Sequence, residues 1–237
     1  LSAFIPKLDG EVLIKGKDID DYTDKQLARI IGVVLTDKCD INNITVYELV
    51  GYGRSPYTDF WGSLRKEDKE IVDEALRMMK MESFADRMVQ NLSDGERQKV
   101  MIAKALAQST PVIYLDEPTA FLDYPSKVEI MQLLHTLSRE TDKPIFMSTH
   151  DIELALQISD KAWLMDKVNG IKIGTPEDLA MDGSIGQFFA RKGIAFDADT
   201  GLFRVENECD KNIKLIGHGQ MYTMIRKALY RNGINAD

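Results

Sequence analysis

The sequence predicts an α/β fold in which helices flank a mostly parallel β-sheet. Between residues 93 and 165, short apolar runs alternate with longer segments whose apolar residues recur every three or four positions. This alternation is typical of βαβ units and a parallel sheet. Residues 40–95 are helical in pattern and lack strong strands, which predicts a helical subdomain. After Gly183 the pattern changes, and this change predicts a small C-terminal α+β appendage.

Short apolar runs indicate the strands, and apolar residues at helical spacing indicate the helices. The predicted strands are residues 10–16, 30–35, 111–115, 144–148 and 162–165. The predicted helices are residues 66–81, 93–107, 126–140 and 152–158. In the C-terminal region we expect a hairpin at 196–205 that turns at Asp199-Thr200-Gly201, a strand at 213–216 and a helix at 222–230. These patterns divide the chain into a main domain, 1–182, and an accessory region, 183–237.

The composition is that of a globular protein, and it excludes several function classes. With 237 residues, of which 44% are hydrophobic and 29% charged, the chain fits one ordinary domain with an appendage. A net charge of -8 argues against nucleic-acid binding, which needs a basic excess. No uninterrupted apolar run approaches the length that crosses a bilayer. Cys39 and Cys209 are solitary, which favours a reducing cytosol over a disulfide framework or a cysteine metal site.

Two adjacent acids, Asp116 and Glu117, follow the predicted strand 111–115. Open α/β sheets bind ligands at the carboxyl ends of their strands, and consecutive strand residues point to opposite faces. One carboxylate can therefore hold Mg²⁺, directly or through water, while its neighbour polarises a water that attacks a phosphate. The alternative is a strand that simply ends in two acids before the turn at Pro118.

A second candidate site lies at Ser93-Asp94-Gly95-Glu96. These residues have the sequence of a capping box, with Ser93 at the N-cap of a helix and Glu96 three positions later. Capping boxes precede many ordinary helices. The exposed N–H groups and the dipole at a helix start also bind anions. Both interpretations, a plain helix start and a phosphate site, use the same geometry.

In this order, the segments 92–98 (LSDGERQ) and 112–118 (VIYLDEP) resemble the signature and Walker B motifs of ABC-type ATPases. The resemblance covers about residues 1–180. Ala120-Phe121-Leu122-Asp123 resembles the family's D-loop, which lines the contact between two ATPase subunits, and His150 matches its switch histidine. Alone, the D-loop segment would be a hydrophobic turn and the histidine an ordinary helix start.

The resemblance implies a P-loop NTPase-like fold that binds ATP and Mg²⁺. The implied residues are Glu117 and His150 for catalysis, Ser93, Gly95, Glu96 and Asp123 for nucleotide binding, and Asp116 and Thr36 for the metal. Thr36 departs from the family, because it stands where the Q-loop has glutamine. Its hydroxyl can still reach a metal or a water, but the side chain is shorter.

A further resemblance points to one class of importer. The segments 44–50 (ITVYELV) and 53–57 (GRSPY) are similar to the region beyond the Q-loop in importers of iron chelates, haem and cobalamin. In those proteins this region helps to form the lobe that meets the permease. We therefore expect Tyr47 through Tyr57 to supply aromatic, apolar and arginine groups to a docking surface. The alternative is an amphipathic helix followed by an ordinary turn.

The phosphate-binding loop of P-loop ATPases, G-x-x-x-x-G-K-[ST], is absent from residues 1–237. Gly16-Lys17-Asp18 does not supply it, since the earlier glycine is missing and an acid replaces the serine or threonine. This tripeptide follows a segment that is typical of a hairpin strand. Residues 1–6 have the pattern of a helix end. We therefore expect a truncated chain whose loop is encoded just upstream, and which is inactive by itself.

These resemblances imply the ATP-binding subunit of an importer for an iron chelate, haem or a cobalamin-like ligand. Two copies would pair head to tail, bind transmembrane permease subunits and act indirectly with a substrate-binding protein, without a nucleic-acid partner. The subunit would lie peripherally at the cytoplasmic face of the membrane. Two alternatives are a soluble ABC-type ATPase with an assembly or regulatory role, and a non-catalytic interaction module.

Overall fold

The computed structural model describes residues 9–36, 42–59, 62–168, 170–189, 194–198 and 200–236. The predicted helix end at residues 1–6, Cys39 and Asp199 lie outside these ranges. The chain separates into two compact units, Leu1–Ile152 and Glu153–Asp237. The domain division at residue 182 and the helical subdomain at 40–95 stay predictions. Within the described ranges, none of the helices combines the length and the apolar character that crossing a membrane requires.

A three-stranded parallel sheet forms the centre of the first unit. Its strands are β3 (Ile31–Val34), β4 (Val112–Asp116) and β5 (Ile145–Ser148), with β4 in the middle. The register sets Asp116, the last residue of β4, opposite Ser148, the last residue of β5. The predicted parallel α/β fold is confirmed here, and the strand ends that carry the candidate acids lie side by side.

A short antiparallel hairpin precedes the sheet, with β1 at Leu13–Ile14 and β2 at Lys17–Asp18. Lys15 and Gly16 join the strands with φ values of 51° and 79°, and a tight hairpin turn requires this left-handed backbone at both positions. The predicted strand at 10–16 therefore ends at Ile14. The structure also confirms that Gly16-Lys17-Asp18 belongs to a hairpin and not to a phosphate loop.

The described helices of the first unit are α1 (Asp24–Leu27), α2 (Val46–Gly51), α3 (Lys66–Met78), α4 (Asp94–Ala107) and α5 (Tyr124–Thr141), with 3₁₀ turns at Ile19–Asp21, Tyr52–Arg54, Glu82–Phe84 and Val89–Asn91. All except α1 contribute buried residues to the core, and α4 packs against β3. α3 ends before the predicted Met81 because Lys80 has a left-handed φ of 56°. The turn lets Met79 and Met81 both enter the core, where each is buried.

Arg54 and Gly53 lie at a close packing contact between the turn after α2 and the end of α4. Arg54 is only 6% exposed. Its Nε donates to Asp68 Oδ1 at 2.9 Å, and its Nη1 donates to the main-chain oxygen of Ala107 at 2.8 Å. A Cβ on Gly53 would lie 2.2 Å from the main-chain oxygen of Lys104. The prediction that this arginine serves a docking surface is wrong, because its guanidinium is buried and hydrogen-bonded to Asp68 and Ala107.

The second unit begins with a helix, a hairpin and two short helices. These are α6 (Ile152–Ile158), β6 (Ala162–Asp166), β7 (Gly170–Gly174), α7 (Pro176–Met181) and α8 (Ser184–Phe189). β6 is the predicted strand at 162–165, and its described partner is the antiparallel β7. Leu164, Leu179 and Ile185 form a small buried core. β7, α7 and α8 were missed because each spans six residues or fewer, too short for a period to be visible.

The rest of the second unit is a hairpin followed by a βαβ arrangement. Its elements are β8 (Ile194–Asp197), β9 (Leu202–Val205), β10 (Lys211–Ile213), α9 (Gly219–Arg231) and β11 (Ile234–Ala236). The antiparallel β8–β9 hairpin confirms the prediction at 196–205. The strand predicted at 213–216 is misplaced, because β10 pairs in parallel with β11 only over 211–213. The predicted helix at 222–230 is present, but it begins earlier.

Candidate functional site

The candidate metal ligand, Asp116, lies at the open carboxyl edge of the sheet between two hydroxyl groups. Ser148 Oγ donates to Asp116 Oδ1 at 2.6 Å. Thr36 Oγ1 lies 2.8 Å from Asp116 Oδ2 and 2.8 Å from its main-chain oxygen. The bonds from Ser148 and then Thr36 hold the pKa of the Asp116 carboxyl below its usual range, although partial burial opposes them. Asp116 is therefore held as a charged, solvent-facing carboxylate.

The candidate general base, Glu117, forms a pair with the candidate switch histidine. Glu117 Oε2 lies 3.1 Å from His150 Nδ1, and both side chains are open to solvent. Glu117 has a left-handed φ of 44°, which is uncommon for a residue other than glycine. Its N–H donates to the side-chain and main-chain oxygens of Ser148 at 3.0 and 3.2 Å. Both catalytic candidates are thus placed together beside Asp116.

An ion pair stands next to this edge and fixes the segment that carries His150. Lys127 Nζ lies 3.0 Å from both carboxylate oxygens of Asp151, and Thr119 Oγ1 donates to Asp151 Oδ2 at 3.0 Å. Burial disfavours the charge on Asp151, but the bonds from Lys127 and Thr119 outweigh it, so its pKa lies below the usual range. These contacts tie α5 and the turn before it to the residue that follows His150.

The candidate anion site at the start of α4 has the capping-box geometry. Ser93 Oγ accepts from the N–H of Glu96 at 3.3 Å and donates to Glu96 Oε2 at 2.8 Å, while the N–H of Ser93 donates to the same carboxylate at 2.8 Å. These bonds from Ser93 hold the pKa of Glu96 below its usual range. The plain interpretation, a capped helix, is thus present. The role of this helix start as a phosphate site stays a prediction.

The D-loop segment leads into α5, with Phe121 and Asp123 exposed and Leu122 packed against the core. Phe121 has a left-handed φ of 64° and is 72% exposed. Asp123 is the N-cap of α5, where its Oδ1 accepts from the N–H of Ser126 at 3.1 Å. The bonds from Ser126 hold the pKa of Asp123 below its usual range. A Cβ on Gly95 would lie 3.4 Å from Ser126 Oγ, so the starts of α4 and α5 are neighbours.

The predicted site residues therefore form two groups in the first unit. One group lies at the strand ends, and it contains Thr36, Asp116, Glu117 and His150. The other lies at the starts of α4 and α5, and it contains Ser93, Gly95, Glu96 and Asp123. Ser148, which contacts both acids, was not predicted from the sequence. The signal was its place as the last residue of the neighbouring strand, but only the register revealed it.

The strand-end group fits a magnesium ion better than a transition metal. Its donors are one carboxylate and two hydroxyl oxygens, and hard oxygen ligands suit Mg²⁺. Across the part of the chain that the structure describes, no group of three or more His, Cys, Asp or Glu could hold a metal by itself. Protein Mg²⁺ sites commonly use one or two carboxylates and complete the shell with water and substrate phosphates.

Comparison with known proteins gives concordant matches over most of the chain. A family model described as ABC transporter matches residues 1–120. An uncharacterized ABC transporter ATP-binding protein of Methanocaldococcus jannaschii is 38% identical over 215 residues, which cover 91% of this chain and 74% of the relative. The iron(3+)-hydroxamate import ATP-binding protein of Bacillus subtilis is 37% identical over 180 residues, which cover 76% of this chain and 67% of the relative. The chain thus spans between two thirds and three quarters of these relatives.

A solved structure agrees with these sequence matches. The dimeric structure of a bacterial ABC transporter cassette has a TM-score of 0.54 and 32% sequence identity. The similarity covers 65% of this chain and 68% of that chain. The similar fold and the named relatives therefore agree with the resemblance that the motifs at the strand ends carry.

Proposed function

This chain belongs to the ABC transporter family, whose ATPases hydrolyse ATP, and on that premise we propose that it is the ATP-hydrolysing subunit of an importer. The observation that carries the proposal is the Glu117–His150 pair beside Asp116 at the ends of paired strands. The proposed cargo is an iron chelate, haem or a cobalamin-like ligand. The Bacillus subtilis relative, named for iron-hydroxamate import, supports this class.

In the proposed mechanism Asp116 would hold Mg²⁺, with the Thr36 hydroxyl beside it, and the ion would supply positive charge for the phosphates of ATP. Glu117 acts as the general base that takes a proton from the attacking water. His150 would support Glu117, since its Nδ1 lies 3.1 Å from Glu117 Oε2, and would hydrogen-bond the γ-phosphate.

The second nucleotide surface is proposed to act across a head-to-tail pair of subunits. Ser93, Gly95 and Glu96 start α4, where N–H groups and the helix dipole attract a phosphate. They lie beside the start of α5, where Asp123 and the exposed Phe121 face solvent. The dimeric bacterial cassette supports the pairing. In this arrangement the α4 start of one copy meets the ATP held by the other.

The P-loop part of the proposal concerns residues 1–237 alone. This sequence contains no G-x-x-x-x-G-K-[ST], and without its N–H cradle and lysine most phosphate contacts are missing. We expect residues 1–237 alone to bind Mg-ATP no more tightly than millimolar and to show no turnover. Micromolar binding of Mg-ATP in calorimetry would contradict this expectation.

We propose that docking on a permease uses the segment after α2, and within it Tyr52 rather than Tyr57. Tyr52 is 57% exposed. Tyr57 is instead covered by cations, with the guanidinium carbons of Arg54 and Arg29 at 4.1 and 5.1 Å from its ring centre. Exposed aromatic side chains are frequent anchors of protein interfaces. Through this contact the subunit would lie peripherally at the cytoplasmic face of the membrane, with a substrate-binding protein on the far side.

The experiment that tests the function uses the full-length protein, expressed from its complete gene with its membrane partner. Wild type should co-purify with a multi-spanning permease and hydrolyse ATP faster in its presence. Tyr52→Asp should lose both properties but keep its basal ATPase and its fold. Met181→Asp, a control at an 86% exposed apolar residue in the second unit, should behave as wild type.

Two results would overturn the proposal. If wild type hydrolyses ATP but no permease co-purifies with it, a soluble ABC-type ATPase with an assembly role would be favoured. ATP binding without turnover in wild type would favour a non-catalytic interaction module.

A further inference from the structure

We propose that Ser148 is a positioning residue, which holds the Asp116 carboxylate and the Glu117 backbone in the arrangement that the metal and the attacking water require. The inference rests on the proposed ATPase function and adds a residue to which the family resemblance assigned no role. Ser148 acts through its two neighbours rather than on the substrate.

One hydroxyl links the two acids. Ser148 Oγ donates to Asp116 Oδ1 at 2.6 Å and accepts from the N–H of Glu117 at 3.0 Å. A hydroxyl has one proton and two lone pairs, so both bonds form at once. The Ser148 side chain therefore ties the carboxylate of one acid to the peptide of the next.

The second bond stabilises an uncommon backbone conformation. Glu117 has a φ of 44°, and a residue with a Cβ adopts the left-handed region only when its surroundings hold it there. The two oxygens of Ser148 receive the Glu117 N–H at this point. The same conformation brings the Glu117 carboxylate to 3.1 Å from His150 Nδ1. Ser148 thus helps to orient the proposed base as well as Asp116.

Thr36 completes the arrangement from the opposite side. Its Oγ1 lies 2.8 Å from Asp116 Oδ2, so each carboxylate oxygen has a hydroxyl beside it. Each carboxylate oxygen also has a further lone pair, which leaves both able to accept a metal or a metal-bound water. Two hydroxyls on opposite sides therefore restrict rotation of the carboxylate without using up its capacity to bind.

Ser148 has no visible packing role that would explain these contacts. It is exposed at the last position of β5, so replacement by alanine leaves no cavity in the core. Groups that orient a metal ligand typically change metal affinity or activity by about 10–100-fold when they are removed. This effect on function, without an effect on folding, distinguishes a positioning residue from a structural one.

The first arm of the test needs neither metal nor nucleotide. In Ser148→Ala the Glu117 amide loses its side-chain acceptor and keeps the main-chain one, so its hydrogen should exchange faster by NMR, by up to about tenfold. Ser148→Thr keeps the hydroxyl and should restore the protection. Ser159→Ala, which removes a hydroxyl bonded to the main-chain oxygen of Ala155 at 2.8 Å, should leave Glu117 unchanged.

The second arm measures the metal directly in the full-length protein, with Mn²⁺ as a paramagnetic substitute for Mg²⁺. In the presence of ATP, Ser148→Ala should bind Mn²⁺ about tenfold more weakly by EPR titration, while Ser148→Thr should bind it as wild type does. The kcat of Ser148→Ala should fall with little change in its KM for ATP, because the Ser148 contacts hold the acids and not the nucleotide.

The outcomes separate this inference from the proposed function. If wild type binds no Mn-ATP, the proposed function fails, and the metal role of Ser148 fails with it. If wild type binds Mn-ATP but Ser148→Ala matches it in affinity and in Glu117 exchange, the positioning role is wrong and the ATPase proposal survives. Equal losses in Ser148→Thr and Ser148→Ala would also overturn it, because the hydroxyl would then not be the active group.

Discussion

The first unit contains two polar clusters with similar bond lengths and opposite surroundings. At the strand ends, Asp116 accepts hydroxyl bonds in the open, where solvent reaches both acids. Beneath the helices, Arg54 and Asp68 form an ion pair at 2.9 Å whose side chains are each 8% exposed. The length of a contact therefore does not show whether a polar group contributes to stability or to chemistry, whereas its exposure to water does.

The physical reason is the cost of losing a partner. A buried charge left without its partner keeps its full desolvation penalty, whereas an exposed one regains water. The interior cluster therefore contributes to stability, and the strand-end cluster is free to serve chemistry.

Glu117→Gln should give the largest change in activity with almost none in stability. Loss of a general base lowers hydrolysis by roughly 10²–10⁴-fold, and the full-length variant should retain ATP in a stable dimer. Single-turnover ATPase assays and size-exclusion chromatography measure the two effects. Hydrolysis at the parent rate would remove Glu117 from the proposed catalytic role.

Arg54→Ala should have the largest effect on stability. Removing one partner of a buried ion pair costs about 3–5 kcal/mol, and here Asp68 also loses the group that keeps it charged. Urea unfolding followed by circular dichroism measures the loss. The matched control is Arg77→Ala, whose pair with Glu74 is exposed and should contribute far less to stability. Equal losses in the two variants would contradict the role assigned to burial.

Gly53→Ala and Gly95→Ala extend the comparison to the backbone. A Cβ on Gly53 would lie 2.2 Å from a main-chain oxygen of α4, so the helices must move apart, at a cost of about 1–3 kcal/mol or more. A Cβ on Gly95 makes only ordinary contact with Ser126, and this variant should stay within about 0.5 kcal/mol of the parent. Thermal unfolding of both variants measures the difference. A Gly53→Ala variant as stable as the parent would show that the turn and α4 can move apart at little cost.

Thr36→Ala should slow ATP hydrolysis by the full-length protein much less than Asp116→Ala does. Thr36 contributes one hydroxyl beside a carboxylate that Ser148 also holds, so we expect about tenfold. Asp116→Ala removes the proposed metal ligand itself. The kcat of each variant as a function of Mg²⁺ concentration makes the comparison. Equal losses would mean that Thr36 binds the metal as strongly as the carboxylate does.

The pH dependence of the stability that the Arg54–Asp68 ion pair contributes should be the smallest of these effects. Burial raises the pKa of Asp68, but the bonds from Arg54 and the Arg65 N–H outweigh burial and hold it below the usual range. With an unfolded value of about 3.9, this stabilisation is complete above about pH 5 and is lost as the pH falls through the folded pKa. The stability gap between wild type and Asp68→Asn should therefore narrow below about pH 4 in urea titrations. A gap that is independent of pH would contradict the pairing.

Much of the site could be predicted because its signals are local. The capping box at Ser93 depends on residues three positions apart, and Asp116 and Glu117 adjoin an apolar run that the structure confirms as β4. The role of His150 beside these acids was implied by its resemblance to the family's switch histidine. The order of these motifs along the chain supplied the family.

The errors concern contacts between distant segments. Arg54 was assigned to a surface because its segment resembles the permease-facing region of importers, yet its partners are Asp68 and Ala107. Ser148 was passed over because nothing near it in sequence shows that it pairs with Asp116. β11 and the exact span of β10 depend on each other in the same way.

The sequence by itself thus determined the kind of fold, the order of its motifs and the acids at the end of β4, because periodicity and capping operate within a few residues. The tertiary structure alone decided which polar groups lie in water and which are enclosed. It also decided which hydroxyl stands beside which carboxylate. Those outcomes depend on strand register and helix packing between segments far apart in the chain, where burial sets the free energy of every charge.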